Sequence, residues 1–291
     1  MPKLARDVRA WMDEDLKRRR APTYDGFVKT AVASRIITAL QFAAKTSGIA
    51  VIYGPAGIGK TMTITAYQSM RPGSIFLRVK VGATSARGFL SMLCDELRVG
   101  RTQWIRPMID RASEKLKDSG RMIMIDEAHR LGYDALEAIR DIHDVTGCPV
   151  GLLGTARIVR QIDEGMQESK QWITDQFGSR IAIREDLTAV MSQRGRGGKL
   201  LFNQQEIRDI FASQGLRLQP DATHFLASIA STPGLGGLRT VKRVLTMCEV
   251  AFGDRAIDLS IVKAAYAKIS ANGQTPITVE TENEQREAAA G

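Results

Sequence analysis

Ile49-Ala-Val-Ile-Tyr53 followed by Gly54-Pro55-Ala56-Gly57-Ile58-Gly59-Lys60-Thr61 is the stretch whose reading decides the fold. The first five residues are apolar and β-branched, bounded by turn residues, and read as a buried strand. The next eight match G-x-x-x-x-G-K-[ST], a loop whose backbone cradles phosphates. Each residue type has a physical task. The glycines let successive N–H groups turn inward around an anion. The helix beginning at Lys60 adds the positive end of its dipole. Lys60 brings a point charge to the β- and γ-phosphates, and Thr61 offers a hydroxyl to Mg²⁺. The expected cofactors are ATP and Mg²⁺, with Gly54 to Thr61 and the neighbouring Met62 holding the nucleotide.

Working outward, four more short runs share this character: Ser74–Val79, Met122–Ile125, Val150–Leu153 and a weaker Ile181–Ile183. Helical stretches lie before and between them, at about 28–45, 60–70, 86–98, 106–118 and 133–145. Strands alternating with helices predict a parallel sheet with crossover connections. Strands that are apolar throughout predict a sheet covered on both faces. The expected fold class is α/β, a five-stranded parallel P-loop sheet sandwiched by helices. After a basic, glycine-rich segment, Ser192–Lys199, only helices are visible, at about 204–213, 221–231, 237–252 and 259–270. The expected domains are a basic N-terminal helix and linker over 1–24, an α/β ATPase domain over 25–190, a helical lid over 191–272, and a disordered tail over 273–291, where large apolar residues are scarce.

Met122-Ile-Met-Ile-Asp126-Glu127 is an apolar strand ending in two carboxylates. We expect it to lie beside the phosphate-loop strand, with Asp126 at the carboxyl edge of the sheet, where ligands sit. Asp126 would then order Mg²⁺ together with Thr61, and Glu127 would accept a proton from the attacking water. The tetrad Asp126-Glu-Ala-His129 also matches the DEAH signature of helicases. That reading needs a second RecA-like domain, for which the chain is too short and too helical beyond 190. His129 is expected to make only a local contact at a helix start.

Composition narrows the partners. The chain has 291 residues, with Lys plus Arg 41 against Asp plus Glu 32, a net charge of +9. That balance suits a nucleic-acid partner. No apolar run approaches the roughly 20 residues that span a bilayer, and the charged N-terminus has no apolar segment of a secretory signal. The expected location is the cytoplasm, with no membrane partner. Cys94, Cys148 and Cys248 are far apart and odd in number, which points to reduced thiols rather than a disulfide framework or a metal site.

Three further positions complete the pattern. Val150-Gly-Leu-Leu-Gly-Thr155 ends a buried strand on a hydroxyl able to orient a water. Gln176-Phe-Gly-Ser-Arg180 puts an arginine at the mouth of the fifth strand. Gly234-Leu-Gly-Gly-Leu-Arg239 puts another at a helix start. Taken together the motifs resemble those of AAA+ ATPases, and more narrowly the phage Mu B transposition protein (MuB) and TnsC-like group. The likeness lies in Phe42–Thr61, Phe177–Ala182 and Pro233–Arg239 and extends over about residues 25–270. It implies Walker A at 54–61, Walker B at 122–127, sensor 1 at Thr155, an arginine finger at Arg180 and sensor 2 at Arg239, with Phe27 and Val28 among the cofactor-binding residues. Thr155 stands where this family often has asparagine.

The resemblance further implies an ATPase that binds duplex DNA through its phosphate backbone without sequence preference. It would assemble head to tail into a helical filament and recruit and stimulate a transposase at target DNA. Arg180 of one subunit would reach the γ-phosphate held by the next. The loop after the second strand then becomes the candidate DNA contact, with Lys80, Thr84, Ser85 and Arg87. Arg101, Arg106 and Arg111, with Trp104 among them, form a second basic cluster, and the run at 17–20 and Arg194–Lys199 are further candidates. Two alternatives stand beside this one: a helicase-loader or initiator-like ATPase of replication, and a nucleotide-switched scaffold with little turnover.

Overall fold

A computed structural model describes residues 27–164, 177–188, 200–212, 216–252 and 256–270. The expected basic helix and linker over 1–24, the segment 192–199 and the tail at 273–291 lie outside the described residues. The described chain runs α1 (Ala31–Thr46), β1 (Ile49–Tyr53), α2 (Lys60–Met70), β2 (Ile75–Arg78), α3 (Ala86–Leu97), α4 (Ile105–Leu116), β3 (Ile123–Asp126), a 3-10 turn (Ala128–Arg130), α5 (Tyr133–Thr146), β4 (Val150–Gly154), α6 (Arg157–Glu164) and β5 (Ile181–Asp186). Four helices follow: α7 (Gln204–Phe211), α8 (Pro220–Ser231), α9 (Leu238–Phe252) and α10 (Leu259–Ser270). Among the described residues no helix is long and apolar enough to cross a membrane.

The five strands form one sheet in the order β2-β3-β4-β1-β5, and every pairing is parallel. This corrects one expectation. The acidic strand β3 is not beside β1, because β4 lies between them. The local pattern marks each run as a strand but carries no information on pairing order. Gly151 helps β4 take the central place: a Cβ there would come 2.5 Å from the Leu40 side chain of α1. Strands β1, β3 and β4 are buried almost throughout, as strands covered on both faces should be. β5 is an edge strand of intermediate exposure, and it runs three residues past the expected Ile183. Its Arg-Glu-Asp end reads as polar loop, yet pairs Val51, Ile52 and Tyr53 of β1 through Arg184, Glu185 and Asp186. Helix α6 was not expected either.

The chain divides into two compact units. The first holds Ala33–Gly54 and Lys60–Leu187. Its core gathers Ile49, Val51, Phe89, Leu93, Met108, Ile125, Leu152 and their neighbours, with Phe89 wholly buried. Cys94 and Cys148 are buried there as free thiols, and burial pushes the Cys148 thiol up to about 12.

The second unit holds Val28–Val32, Pro55–Gly59 and the described residues from Thr188 onward. Its helices pack Phe202, Ile207, Phe225, Leu226, Val244, Leu245 and Val262 into a separate core, where Phe225 meets Tyr266 edge to face at 5.9 Å. Asn203 and Glu206 form a reciprocal capping box at the start of α7, which satisfies two orphan donors at once. Glu206 Oε1 also accepts the Ala31 N–H at 3.0 Å, so one carboxylate serves the first turns of two helices.

Candidate nucleotide site

The phosphate loop grows directly out of β1. The Gly54 N–H donates to the Gly154 carbonyl at 3.2 Å, fixing the loop's origin against the end of β4. Gly57 and Gly59 have φ of 86° and 96°, which L side chains rarely adopt. Ile58 is buried and anchors the loop, while Pro55, Gly57, Gly59 and Thr61 are of intermediate exposure and Ala56 and Met62 are exposed. Lys60 opens α2 and donates from Nζ to the Gly54 carbonyl at 2.8 Å. Its ammonium is thereby folded across the mouth of the loop it would serve.

Within the helical unit, the turn before α9 touches residues 55–59 closely. The Leu238 N–H donates to the Gly57 carbonyl at 2.9 Å. A Cβ on Gly57 would collide with the Gly236 carbonyl, and one on Gly237 would come within 2.8 Å of the Gly57 oxygen. Both positions must therefore be glycine at this contact. Arg239 follows immediately and is exposed.

The carboxylate pair sits at the end of β3. Asp126 is 1% exposed. Its Oδ2 accepts from the Thr61 hydroxyl at 2.7 Å and faces Arg78 Nε at 3.8 Å, while Oδ1 accepts from the Glu127 N–H at 2.9 Å. Thr61 and Asp126 thus supply two hard oxygen donors side by side, the donor type that suits Mg²⁺. These two residues would hold the ion, which when bound neutralises charge on phosphate oxygens. Among the described residues, no group of three His, Cys, Asp or Glu could hold a metal.

Glu127 follows with φ of 59°, a left-handed conformation that is costly for a side chain of this size and common at functional sites. Its Oε2 lies 3.3 Å from Arg130 Nε and 3.6 Å from His129 Nε2.

His129 does more than the local contact expected of it. It sits in the 3-10 turn after β3, and its Nδ1 accepts the Thr155 N–H at 3.4 Å. Thr155 is the residue just after β4, so the ring spans two strand ends. Burial holds the His129 pKa below its ordinary value, although the Glu127 carboxylate opposes that shift. The ring is then neutral at pH 7, free to accept at Nδ1 and carrying its proton on Nε2. A lone histidine in a strand-end turn gave no signal of this. The cue in the sequence was Gly154: a Cβ there would come 3.1 Å from His129 Nδ1 and from its backbone nitrogen.

Arg180 lies elsewhere. It precedes β5, and so stands at the amino edge of the parallel sheet, whereas the phosphate loop, Asp126 and Thr155 stand at the carboxyl edge. Its guanidinium grips Asp144 at the end of α5, with Nε to Oδ1 at 2.9 Å and Nη2 to Oδ2 at 3.0 Å, and Nη1 donates to Ser179. The pair lines a shallow pocket with Thr46, Gly48 and His143. Phe27 and Val28 are partly exposed ahead of α1.

The two basic clusters form one surface. Lys80, Thr84, Ser85 and Arg87 are exposed, Ser85 caps α3 by accepting the Gly88 N–H at 3.2 Å, and Arg87 donates to the Gln103 carbonyl, joining the loop after β2 to the approach to α4. Arg101 pairs with Asp95, Arg106 with Asp110 at 3.2 Å, and Arg111 donates to the Gly100 carbonyl at 2.8 Å. All four of these arginines are thus committed to local partners. Val81 and Trp104 are strongly exposed, at 88% and 64%.

The family model that matches this chain, over residues 43–162, is described as an AAA domain. The chain is similar to the Mu-like prophage FluMu DNA transposition protein B of Haemophilus influenzae, at 23% identity over 73% of this chain and 69% of that protein. It is also similar to the ATP-dependent target DNA activator B of Escherichia phage Mu, at 26% identity over 54% of this chain and 51% of the relative. The chain therefore aligns with about half of the phage Mu protein's length. Among solved structures, domain III of the Thermotoga maritima replication initiation protein DnaA is similar in fold, with a TM-score of 0.50 at 16% identity over 84% of this chain and 94% of that one.

The Gly57 contact yields a prediction. Gly57→Ala should weaken ATP binding by at least about tenfold, since a strained left-handed alanine costs roughly 1–2 kcal/mol before its clash with Gly236 is counted. Titration with a fluorescent ATP analogue would show it, and unchanged affinity would mean the loop does not keep this conformation when nucleotide binds.

Proposed function

We propose that this chain is an AAA+ ATPase related to the Mu-type B transposition proteins, that it binds and hydrolyses ATP to control its hold on duplex DNA, and that it brings a transposase to that DNA. The observation that carries this reading is the junction of Thr61, Asp126 and Glu127 at one sheet edge, with a 2.7 Å hydrogen bond joining the first two. A phosphate loop alone binds nucleotide. A carboxylate held beside it in a strained backbone conformation gives the attacking water a base.

In this reading the loop amides of Gly54 to Gly59 and Lys60 bind the phosphates. Thr61 and Asp126 hold the metal ion. Glu127 takes the proton from water, Thr155 orients that water, and Arg239 attends the phosphates. Arg180 stands at the opposite edge of the sheet, so the phosphate it serves belongs to another subunit. That arrangement is heterologous, and it builds a filament when the rotation does not close. An arginine supplied in trans accelerates phosphoryl transfer by ~10³–10⁵. The charge of +9 and the joined basic surface favour phosphate contacts, which carry affinity without sequence information. That surface is also tied to the catalytic turn: the Gly132 N–H donates to the Thr84 carbonyl at 2.7 Å and Asp134 accepts the Ala86 N–H at 2.8 Å. Movement of the loop on DNA would be felt at residues 127–132.

Three outcomes follow. Glu127→Gln should retain ATP-dependent binding to random duplex DNA while turnover falls by ~10²–10⁴; wild-type turnover would remove Glu127 from its role. Lys80→Ala should make the slope of log K against log salt shallower by about one, and a wild-type slope near zero would sink the DNA reading. Arg180→Ala and Lys60→Ala should each be inactive alone yet regain turnover when mixed, because one supplies an intact arginine and the other an intact loop. Failure to complement in a mixture that still co-assembles would place Arg180 outside the neighbour's site.

A further inference from the structure

His129 stands outside every role assigned above, yet its ring touches two of the residues that have one. Nε2 faces the Glu127 carboxylate at 3.6 Å, and Nδ1 accepts the Thr155 N–H at 3.4 Å. Two features make this a built arrangement. First, Gly154 clears the space: a side chain there would press on the His129 backbone nitrogen and on Nδ1, both at 3.1 Å. Second, Glu127 needs external restraint, because its left-handed backbone at φ 59° persists only where the surroundings over-determine it. Arg130 also reaches Glu127, but its side chain is 41% exposed against 16% for His129, and exposed ion pairs restrain little. Arg130 meets Glu127 twice, at Oε2 and at the backbone carbonyl, so both of these contacts lie within one turn.

We propose that His129 is a positioning residue for ATP hydrolysis: it fixes the Glu127 carboxylate relative to the end of β4, so that the base and the Thr155 hydroxyl address the same water. The ring itself neither touches the phosphates nor takes the proton. It sets the distance between two groups carried on neighbouring strands, each of which would otherwise move with its own turn. This proposal rests on the assignment of Glu127 as the base.

A positioning role separates from a structural one in the kinetics. His129→Ala should lower kcat on the ~10–100-fold scale of a lost supporting partner and leave the KM for ATP and the thermal midpoint near the wild-type values. His129→Gln, whose amide can accept from Thr155 and donate toward Glu127, should recover most of that loss. In a Glu127→Gln background, His129→Ala should cost nothing more, because the group it positions is gone. Wild-type kcat in His129→Ala would overturn the proposal, as would a loss confined to KM or a full additional loss in the Glu127→Gln background. If His129→Ala proves unstable, a His129→Gln protein that folds but is as slow as Glu127→Gln overturns it equally. Were Glu127→Gln itself to turn over normally, the underlying assignment of the base would fail instead, which this set of variants distinguishes.

Discussion

A carboxylate that is 1% exposed at the end of an apolar strand is the constraint on which the rest of the site depends. Buried charge is costly unless it is paired and hydrogen-bonded. Asp126 meets that demand with the Thr61 hydroxyl, the Glu127 N–H and the more distant Arg78 guanidinium. Each partner arrives from a different place: the first turn of α2, the residue after β3, and the end of β2. Satisfying one anion therefore locks the register of three elements at the same edge. The Glu127 N–H satisfies Asp126, and Glu127 itself takes a left-handed backbone with φ of 59°.

Glycine does the complementary work where backbones must approach. Gly154 lets the His129 ring lie against β4, and Gly57 and Gly237 let the phosphate loop accept a hydrogen bond from the first turn of α9. In both places a methyl group would be too large. The glycines of Pro233–Arg239 are therefore contact residues as much as turn residues, and Arg239 owes its place to them.

Much of this was legible in the sequence. Apolar, β-branched runs between turn residues located all five strands, and G-x-x-x-x-G-K-T fixed the loop with its flanking strand and helix, because these signals are local. What was not legible depends on distant partners. Nothing in Met122–Ile125 says that β4 rather than β1 lies beside it. Nothing in Arg184-Glu-Asp186 distinguishes an exposed edge strand from a loop, since an edge is half solvated and tolerates charge. The reach of His129 to Thr155 crosses 26 positions, and the grip of Asp144 on Arg180 crosses 36. Such pairs emerge only when the crossover helices fold back.

The parallel sheet itself carries the last step. All five strands point the same way, so the sheet has two unlike edges, one gathering the phosphate loop, Asp126 and Thr155, the other presenting Arg180. On the proposed reading, a chain then holds one half of two nucleotide sites and completes neither. Asp144 neutralises Arg180 while no neighbour's phosphate is present, and a bidentate pair of this kind is directional and well defined. Assembly must exchange one anionic partner for another, or share the guanidinium between them. A second anion beside Asp144 is repelled as well as attracted, which makes the junction weaker than a free arginine would allow. If assembly is undone by hydrolysis, as proposed, a junction of moderate strength that loses its γ-phosphate after each turnover is the arrangement that can both form and release.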